Sequence, residues 1–269
     1  MSRSRKEGEG ETVQAVKRAL LLLEILAKEA KAMSISELSK KSNLKLTTVH
    51  RLLNTMMSRE FIEQDETTLQ YRLGIKAFEV GNAALATNDL RMSAQPSLKQ
   101  LAQQVNETTN LAVLDGSEVV YIDQLESTNI VIVKMFARVG NRGPAYCTGT
   151  GKVLLADLTP EEIRERFRNT QFIKFTPRTI TNIEELLIAL AKIREDGYAL
   201  DFSERDEGVT CVAAPIRNYE NRVCAAISVS GPAGRMTEER IRQEILPAVI
   251  QAANEISKRL GFKKQNFAK

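Results

Sequence analysis

The sequence predicts an α+β fold in two parts, a small helical module with a short hairpin followed by a larger domain of strands and helices. The chain has 269 residues, enough for two domains. Apolar residues recur at helical spacing before residue 60 and form strand-like runs after residue 110. Residues 1–60 carry 12 Lys and Arg against 7 Asp and Glu, a net charge of +5, whereas the remainder has a net charge of −1. This concentration of positive charge favours a polyanionic partner for the first part.

The elements of the first module follow one another at short intervals. Apolar residues at spacings of three and four from Val13 to Ala27 predict a first helix. Ser34 stands three residues before Glu37, a capping-box pattern that predicts a second helix over 35–41. A third helix is expected over 45–58, then two short strands at 61–62 and 70–73 around a polar turn at 65–68. This is the order of a winged helix-turn-helix.

The third helix of this module is amphipathic. Its apolar residues fall on one side, and Arg51 and Asn54 fall on the other. No Asp or Glu occurs between Lys45 and Arg59, which favours a DNA-reading face over the alternative of an ordinary solvated face, since solvated faces usually mix acids with bases. The candidate DNA-binding residues are Lys45, Thr47, Thr48, His50, Arg51, Asn54, Thr55 and Ser58.

After residue 105 the chain reads as a mixture of hairpins and helices. Strands are expected at 111–114, 119–125, 130–136, 209–216 and 223–229, and helices at about 150–157, 160–168, 183–196 and 237–260. Hairpins with helices beside them indicate an α+β domain.

Enzymatic chemistry finds little support in the second part. The only histidine is His50, and the three cysteines contain no CxxC pair, which argues against a triad or a zinc site. The stretch 149–152 is not a phosphate loop, because Tyr146 and Val153 occupy positions that need glycine and Ser or Thr. We expect no catalytic residue, no metal and no cofactor. With no long apolar run and no signal-peptide pattern, we expect a cytoplasmic protein without a membrane partner.

Several blocks carry a resemblance to a known family. They are QAVKRALLLLEIL, SISELSKKSNL, TTVHRLLNTMMSREFIEQDETTLQYRLG, RVGNRGPAYCTGTGKVLLA, DFSERDEGVTCVAAPI and AAISVSGPAGRMTEERI. In this order they resemble the IclR (isocitrate lyase regulator) family of transcriptional regulators over residues 12–262. Asn43 and Glu60 depart from the family pattern, which most often has glycine at both positions. Asn tolerates a left-handed turn, and Glu60 is expected to alter the turn into the wing without abolishing it.

The resemblance implies an operator-binding regulator controlled by a small metabolite such as an organic acid. It implies a winged helix-turn-helix domain over 1–74 with a disordered tail at 1–11, and a helical linker over 75–105. A GAF-like α+β effector-binding domain would cover 106–262, followed by a tail at 263–269. The protein is expected to bind double-stranded operator DNA as a homodimer or homotetramer and to act as a repressor, although activation stays open.

The resemblance also implies an effector pocket. The implied polar and pocket-lining residues are Gly149, Thr150, Asp201, Cys211, Ser228 and Ser230, with Ile132, Met135 and Val209 as an apolar wall. The start of the helix at 149–150 offers either free N–H groups for an anion or a simple N-cap. Ser228 and Ser230 share one strand face and need partners, either a ligand or the protein itself. This set contains no cation, so a carboxylate would rely on amides and hydroxyls, and replacing both serines by alanine is expected to spare folding.

Two other function classes are alternatives to a ligand-controlled regulator. An enzyme with an accessory DNA-binding domain would need a catalytic base after residue 105, where no histidine occurs. A purely architectural DNA-binding protein would use its second domain only to oligomerise, and a metabolite screen would show no ligand.

Overall fold

The chain divides into two compact units, Met1–Thr87 and Asn88–Lys269. Within them, a computed structural model describes residues 12–86, 89–129 and 136–263. The predicted tail at 1–11, most of the tail at 263–269 and all but the last residue of the predicted strand 130–136 lie outside the described residues. No helix in the described ranges is long and apolar enough to cross a membrane.

The first unit has the predicted order of helices and hairpin. Its elements are α1 (Gln14–Glu29), α2 (Ile35–Ser42), α3 (Leu46–Met57), β1 (Ile62–Gln64), β2 (Tyr71–Leu73) and α4 (Ile75–Ala86). The capping box of α2 is confirmed, because the Ser34 N–H donates to the Glu37 carboxylate at 2.7 Å and the Ser34 hydroxyl accepts from the Glu37 N–H at 3.3 Å. β1 and β2 pair antiparallel with Ile62 opposite Leu73.

Both positions that depart from the family glycines adopt left-handed backbone conformations. Asn43 ends α2 with φ 54°, and Glu60 follows α3 with φ 61°. Asn accepts this region readily, whereas Glu is strained there. The Glu60 turn is held tightly: a Cβ atom on Gly74 would lie 2.3 Å from the Glu60 carbonyl oxygen, so only glycine fits at position 74.

One apolar core joins the helices and the hairpin of the first unit. Leu22 and Leu26 of α1 pack with Leu53 of α3, and all three side chains are almost fully buried. The remaining members are Met33, Leu38, Val49, Met56, Ile62 and Tyr71. Because α3 buries this apolar stripe, its opposite polar face is left to solvent.

The second unit is a six-stranded antiparallel sheet between two helical layers. Its elements are α5 (Asp89–Val105), β3 (Thr108–Asp115), β4 (Glu118–Leu125), β5 (Arg142–Pro144), α6 (Gly149–Leu155), α7 (Pro160–Phe167), α8 (Ile183–Asp196), β6 (Ala199–Phe202), β7 (Val209–Arg217), β8 (Val223–Pro232), α9 (Glu238–Arg240), a π-helical turn (Ile241–Ile245) and α10 (Leu246–Arg259). The strand order is β5-β4-β3-β8-β7-β6. The sequence patterns miss β5 and β6, which are only three and four residues long.

Strand alternation sends alternate residues of each strand to the two faces of this sheet. On β8, Ile227 and Val229 pack into the cluster formed with α5 and α10, whereas Ala226 packs into the cluster formed with α6, α7 and α8. Ser228 and Ser230 therefore face the α6 side. Of the segment 75–105, α4 lies in the first unit, and α5 buries Leu98 and Leu101 in the core of the second unit.

Candidate functional site

The first candidate site is the exposed face of α3, which we define as the eight residues predicted to bind DNA. Seven of them are exposed, and Thr48 is half-buried. Their hydrogen bonds to described residues are local to the helix: Thr55 donates to the Arg51 carbonyl at 2.9 Å, and Asn54 lies 3.4 Å from the His50 ring. Arg51 has no ion pair within the described part of the chain. Its guanidinium is therefore available to a phosphate or a base edge.

A groove between α1 and α3 borders this face. Its empty volume of about 1410 Å³ includes open solvent, and Arg18, Thr48, Arg51 and Asn54 are among its lining residues. Arg18 was not among the predicted DNA-binding residues. Its Nε atom is buried without a hydrogen-bond partner in the described ranges. A second cation beside the face adds to its attraction for a polyanion, and the positive charge of the N-terminal region is the sequence signal that could have indicated it.

The second candidate site is a pocket on the α6 side of the sheet. It encloses about 400 Å³ of empty space, part of it open to solvent. Five of the predicted effector residues line it, namely Gly149, Asp201, Val209, Cys211 and Ser230. Thr150 and Ser228 are almost fully buried beside it without lining it. Ile132 and Met135 lie outside the described residues.

Glycine at position 149 brings the start of α6 close to β6 and β7. A Cβ atom at Gly149 would lie 3.1 Å from the Cys211 sulfur, closer than side chains normally pack. Two N-terminal amides of α6 are already engaged, since the Gly151 N–H donates to the Thr148 hydroxyl at 3.1 Å and the Gly149 N–H donates to Asp201. Thr148 is therefore the N-cap of α6, as one of the two sequence alternatives predicts, and the N–H groups of Gly149 and Gly151 are not free to bind an anion.

Asp201 is a buried acid at the wall of the pocket. Its carboxylate accepts the Glu204 N–H at 2.8 Å. Burial, together with the nearby charge of Glu204, raises the pKa of Asp201 to about 7 against the opposing charge of Lys152. Lys152 is itself buried, pairs with Glu204 and donates to the Leu200 carbonyl at 3.1 Å. Asp201 therefore titrates near neutral pH and can donate or accept a hydrogen bond.

A chain of polar side chains, here called the polar base, lies behind Ser230, which is its one member that lines the pocket. The Asn110 amide nitrogen donates to the hydroxyls of Ser228 and Ser230 at 3.3 and 3.4 Å. Gln124 donates to the Asn110 side-chain oxygen at 2.8 Å and to the Ala137 carbonyl at 2.6 Å. Asn110 is fully buried. Both serine hydroxyls thus have a protein partner. The sequence alone left open whether their partner is a ligand or the protein.

Cys211 lies next to these serines. Burial raises the pKa of its thiol to about 12, an effect that Asp201 strengthens and the two serine hydroxyls oppose. The thiol stays protonated at neutral pH and is not a nucleophile. It acts as a small, weakly polar part of the pocket wall.

Sequence reasoning missed six residues that line the pocket. These are Tyr121, Phe136, Ala137, Thr148, Arg205 and Asp206. The most consequential is Arg205, whose guanidinium carbon lies 4.5 Å from the centroid of the Phe136 ring and 3.9 Å from that of Phe175. The expectation that the pocket lacks a cation is therefore wrong. The one sequence feature that could have pointed to Arg205 is its closeness to Asp201, which it follows by four residues in an acid-rich stretch.

Comparison with known proteins identifies this arrangement. The model of the IclR helix-turn-helix domain matches residues 15–66, and the model described as bacterial transcriptional regulator IclR C-terminal matches residues 82–258. The chain belongs to the IclR family. It is 37% identical over 250 residues to the HTH-type transcriptional regulator XynR of Escherichia coli, covering 93% of this chain and 98% of XynR.

Two solved structures of bacterial proteins match the fold. A putative transcriptional regulator from Rhodococcus matches with a TM-score of 0.82 and 28% identity, over 93% of this chain and 98% of the other. An IclR homolog from Microbacterium hydrocarbonoxydans, complexed with 4-hydroxybenzoate, matches with a TM-score of 0.79 and 28% identity, over 92% and 99%. This IclR chain is thus a DNA-binding transcriptional regulator with a C-terminal ligand-binding domain, and not an enzyme.

Proposed function

We propose that this IclR regulator reads its operator with the exposed face of α3 and changes its DNA affinity when a small organic acid enters the pocket beside α6. The observation that carries the proposal is the α3 face itself, which is exposed, rich in hydrogen-bond donors and free of carboxylates. The pocket supplies a mixed set of polar groups and an apolar wall, as a small oxygen-rich ligand requires. The 4-hydroxybenzoate bound by the Microbacterium homolog supports the ligand class.

Operator binding is proposed to use at least a homodimer in the cytoplasm, with a tetramer as a pair of dimers. One recognition helix contacts too few base pairs to select an operator in a genome. Apolar side chains on two helices of the first unit support self-association: Val16 and Leu20 of α1 and Phe78 and Val80 of α4 are each more than half exposed.

A footprint on the promoter region upstream of the gene tests this proposal. Two protected half-sites in inverted orientation, with centres about 34 Å or a multiple apart, are expected from a two-fold symmetric dimer. Protection of one isolated half-site at saturating protein would show that the assembly argument is wrong. A thermal-shift screen of organic acids tests sensing separately, since a ligand that binds the folded protein raises its unfolding temperature. A flat screen would favour an architectural role.

A further inference from the structure

Arg205 is the cation of the pocket that no sequence pattern indicated. It lies in the loop between β6 and β7, lines the pocket and is mostly buried. Phe136 and Phe175 hold its guanidinium from their ring faces. Aromatic rings attract the charge of an arginine but accept no strong hydrogen bond from its N–H groups. The side chain is therefore fixed in place while its donors stay available.

Protein groups use few of these donors. The Nη1 atom lies 3.6 Å from the nearer carboxylate oxygen of Asp206, which is longer than a hydrogen bond. The Nε atom is buried and has no hydrogen-bond partner among residues 12–86, 89–129 and 136–263. Asp206 is in turn engaged elsewhere, since its other oxygen accepts the Phe136 N–H at 3.0 Å. A buried donor without a partner among these residues is one that a bound ligand can satisfy.

The acids around the pocket leave the carboxylate of Asp206 as the competitor of a ligand for Arg205. Of the acids near the pocket, Glu204 is paired with Lys152, and Asp201 is buried in a way that favours its neutral form. Within the described part of the chain, the charge of Arg205 is offset by one long contact, to Asp206. A ligand carboxylate would complete the pairing of the guanidinium with the planar geometry that arginine prefers.

We propose that Arg205 anchors the carboxylate of the effector and makes the pocket select acids over their uncharged analogues. The rest of the ligand then extends toward Val209, Cys211 and Ser230 on the other walls. The inference rests on the proposed function, because it takes the α6-side pocket as the effector site. It adds the residue that reads the charge.

The test compares acids with their amides. Isothermal calorimetry on the full chain would measure binding of glycolate, pyruvate, benzoate and 4-hydroxybenzoate and of the primary amide of each. In the parent, at least one acid should bind about tenfold or more tightly than its amide, because a charge-assisted bidentate contact is lost in the amide. In Arg205→Gln this preference should fall to within about threefold. Arg178→Gln is the matched control: Arg178 is exposed, donates to the Phe202 carbonyl at 3.2 Å and should keep the full preference.

A second variant gives the opposite sign. Asp206→Asn removes the carboxylate that competes for the guanidinium but keeps an acceptor for the Phe136 N–H, so it should tighten binding of the same acid about threefold or more. An unchanged preference in Arg205→Gln, equal binding of acid and amide in the parent, no acid bound at all, or weaker acid binding in Asp206→Asn would each overturn the inference. Operator footprinting of Arg205→Gln keeps the two proposals apart, since DNA binding without ligand should be unaffected even where the anchor fails.

Discussion

Replacing Ser228 and Ser230 together by alanine should destabilise the second unit. Asn110 is fully buried, and its amide nitrogen donates to both hydroxyls. The double substitution removes both acceptors and leaves a buried donor unsatisfied, which costs about 1–3 kcal/mol of unfolding free energy. For a unit of this size each kcal/mol lowers the unfolding temperature by roughly 2–4 °C, so a fall of roughly 2–12 °C is expected. The sequence expectation that alanine would spare the fold did not include this partner.

Scanning calorimetry with a compensated variant measures the effect. Adding Asn110→Leu to the double variant removes the unsatisfied amide, and Gln124 keeps the Ala137 carbonyl as its acceptor. The triple variant should therefore unfold at a higher temperature than the double variant. An unfolding temperature of the double variant within about 1 °C of the parent, or a triple variant below the double, would refute the reasoning. The single variants separate ligand from fold: Ser230 lines the pocket and Ser228 does not, so only Ser230→Ala should weaken effector binding directly.

Three further predictions concern other positions. Arg51→Ala should weaken operator binding by about 1–3 kcal/mol if Arg51 contacts a base. If it contacts phosphate, the slope of log affinity against log salt concentration should fall by about one. Unchanged affinity in a gel-shift titration would exclude Arg51 from the interface. Glu60→Gly should stabilise the first unit by about 0.5–1 kcal/mol, since relief of the left-handed strain exceeds the added chain entropy of glycine; a urea midpoint below that of the parent would contradict this. The folded-state pKa of Asp201 lies above its ordinary value, because the buried carboxyl favours its neutral form. The resulting contribution of Asp201 to the free energy of unfolding is fully present below about pH 4 and is lost as the pH rises through about 7. Urea titrations at pH 5 and pH 8 should therefore show a larger loss of stability in the parent than in Asp201→Asn, and parallel losses would show that this burial effect is absent.

The local patterns of the first unit were sufficient to predict its elements. The apolar stripe of α3 is set by spacing within one helix, and the capping box of Ser34 and Glu37 by spacing across three residues. Such features need no knowledge of distant contacts. The candidate DNA-binding residues followed from the same stripe, because a helix that buries one side exposes the other.

The pocket was predicted only in part because its members come from distant segments. Ser228 and Ser230 were found through strand alternation, and Asp201 and Gly149 through the family resemblance. Arg205 escaped because it lies in a polar loop, where nothing in the sequence predicts its approach to Phe136 and Phe175. With Arg205, the polar groups of the pocket include a cation held between two aromatic rings, and not only amides and hydroxyls.

The polar base depends on an irregularity that alternation cannot reveal. Leu111 of β3 lies opposite Asp123 of β4, but the next residue of β3 lies opposite Tyr121, so Ile122 is an extra residue in the strand. Strict alternation would place Tyr121 and Asp123 on one face. Because of the bulge, Gln124 shares the pocket side with Tyr121 and joins the polar base, while Asp123 forms an ion pair with an arginine of α5 at 3.1 Å. One inserted residue therefore decides that an amide, and not a carboxylate, joins the hydrogen-bonded chain of Asn110, Ser228 and Ser230.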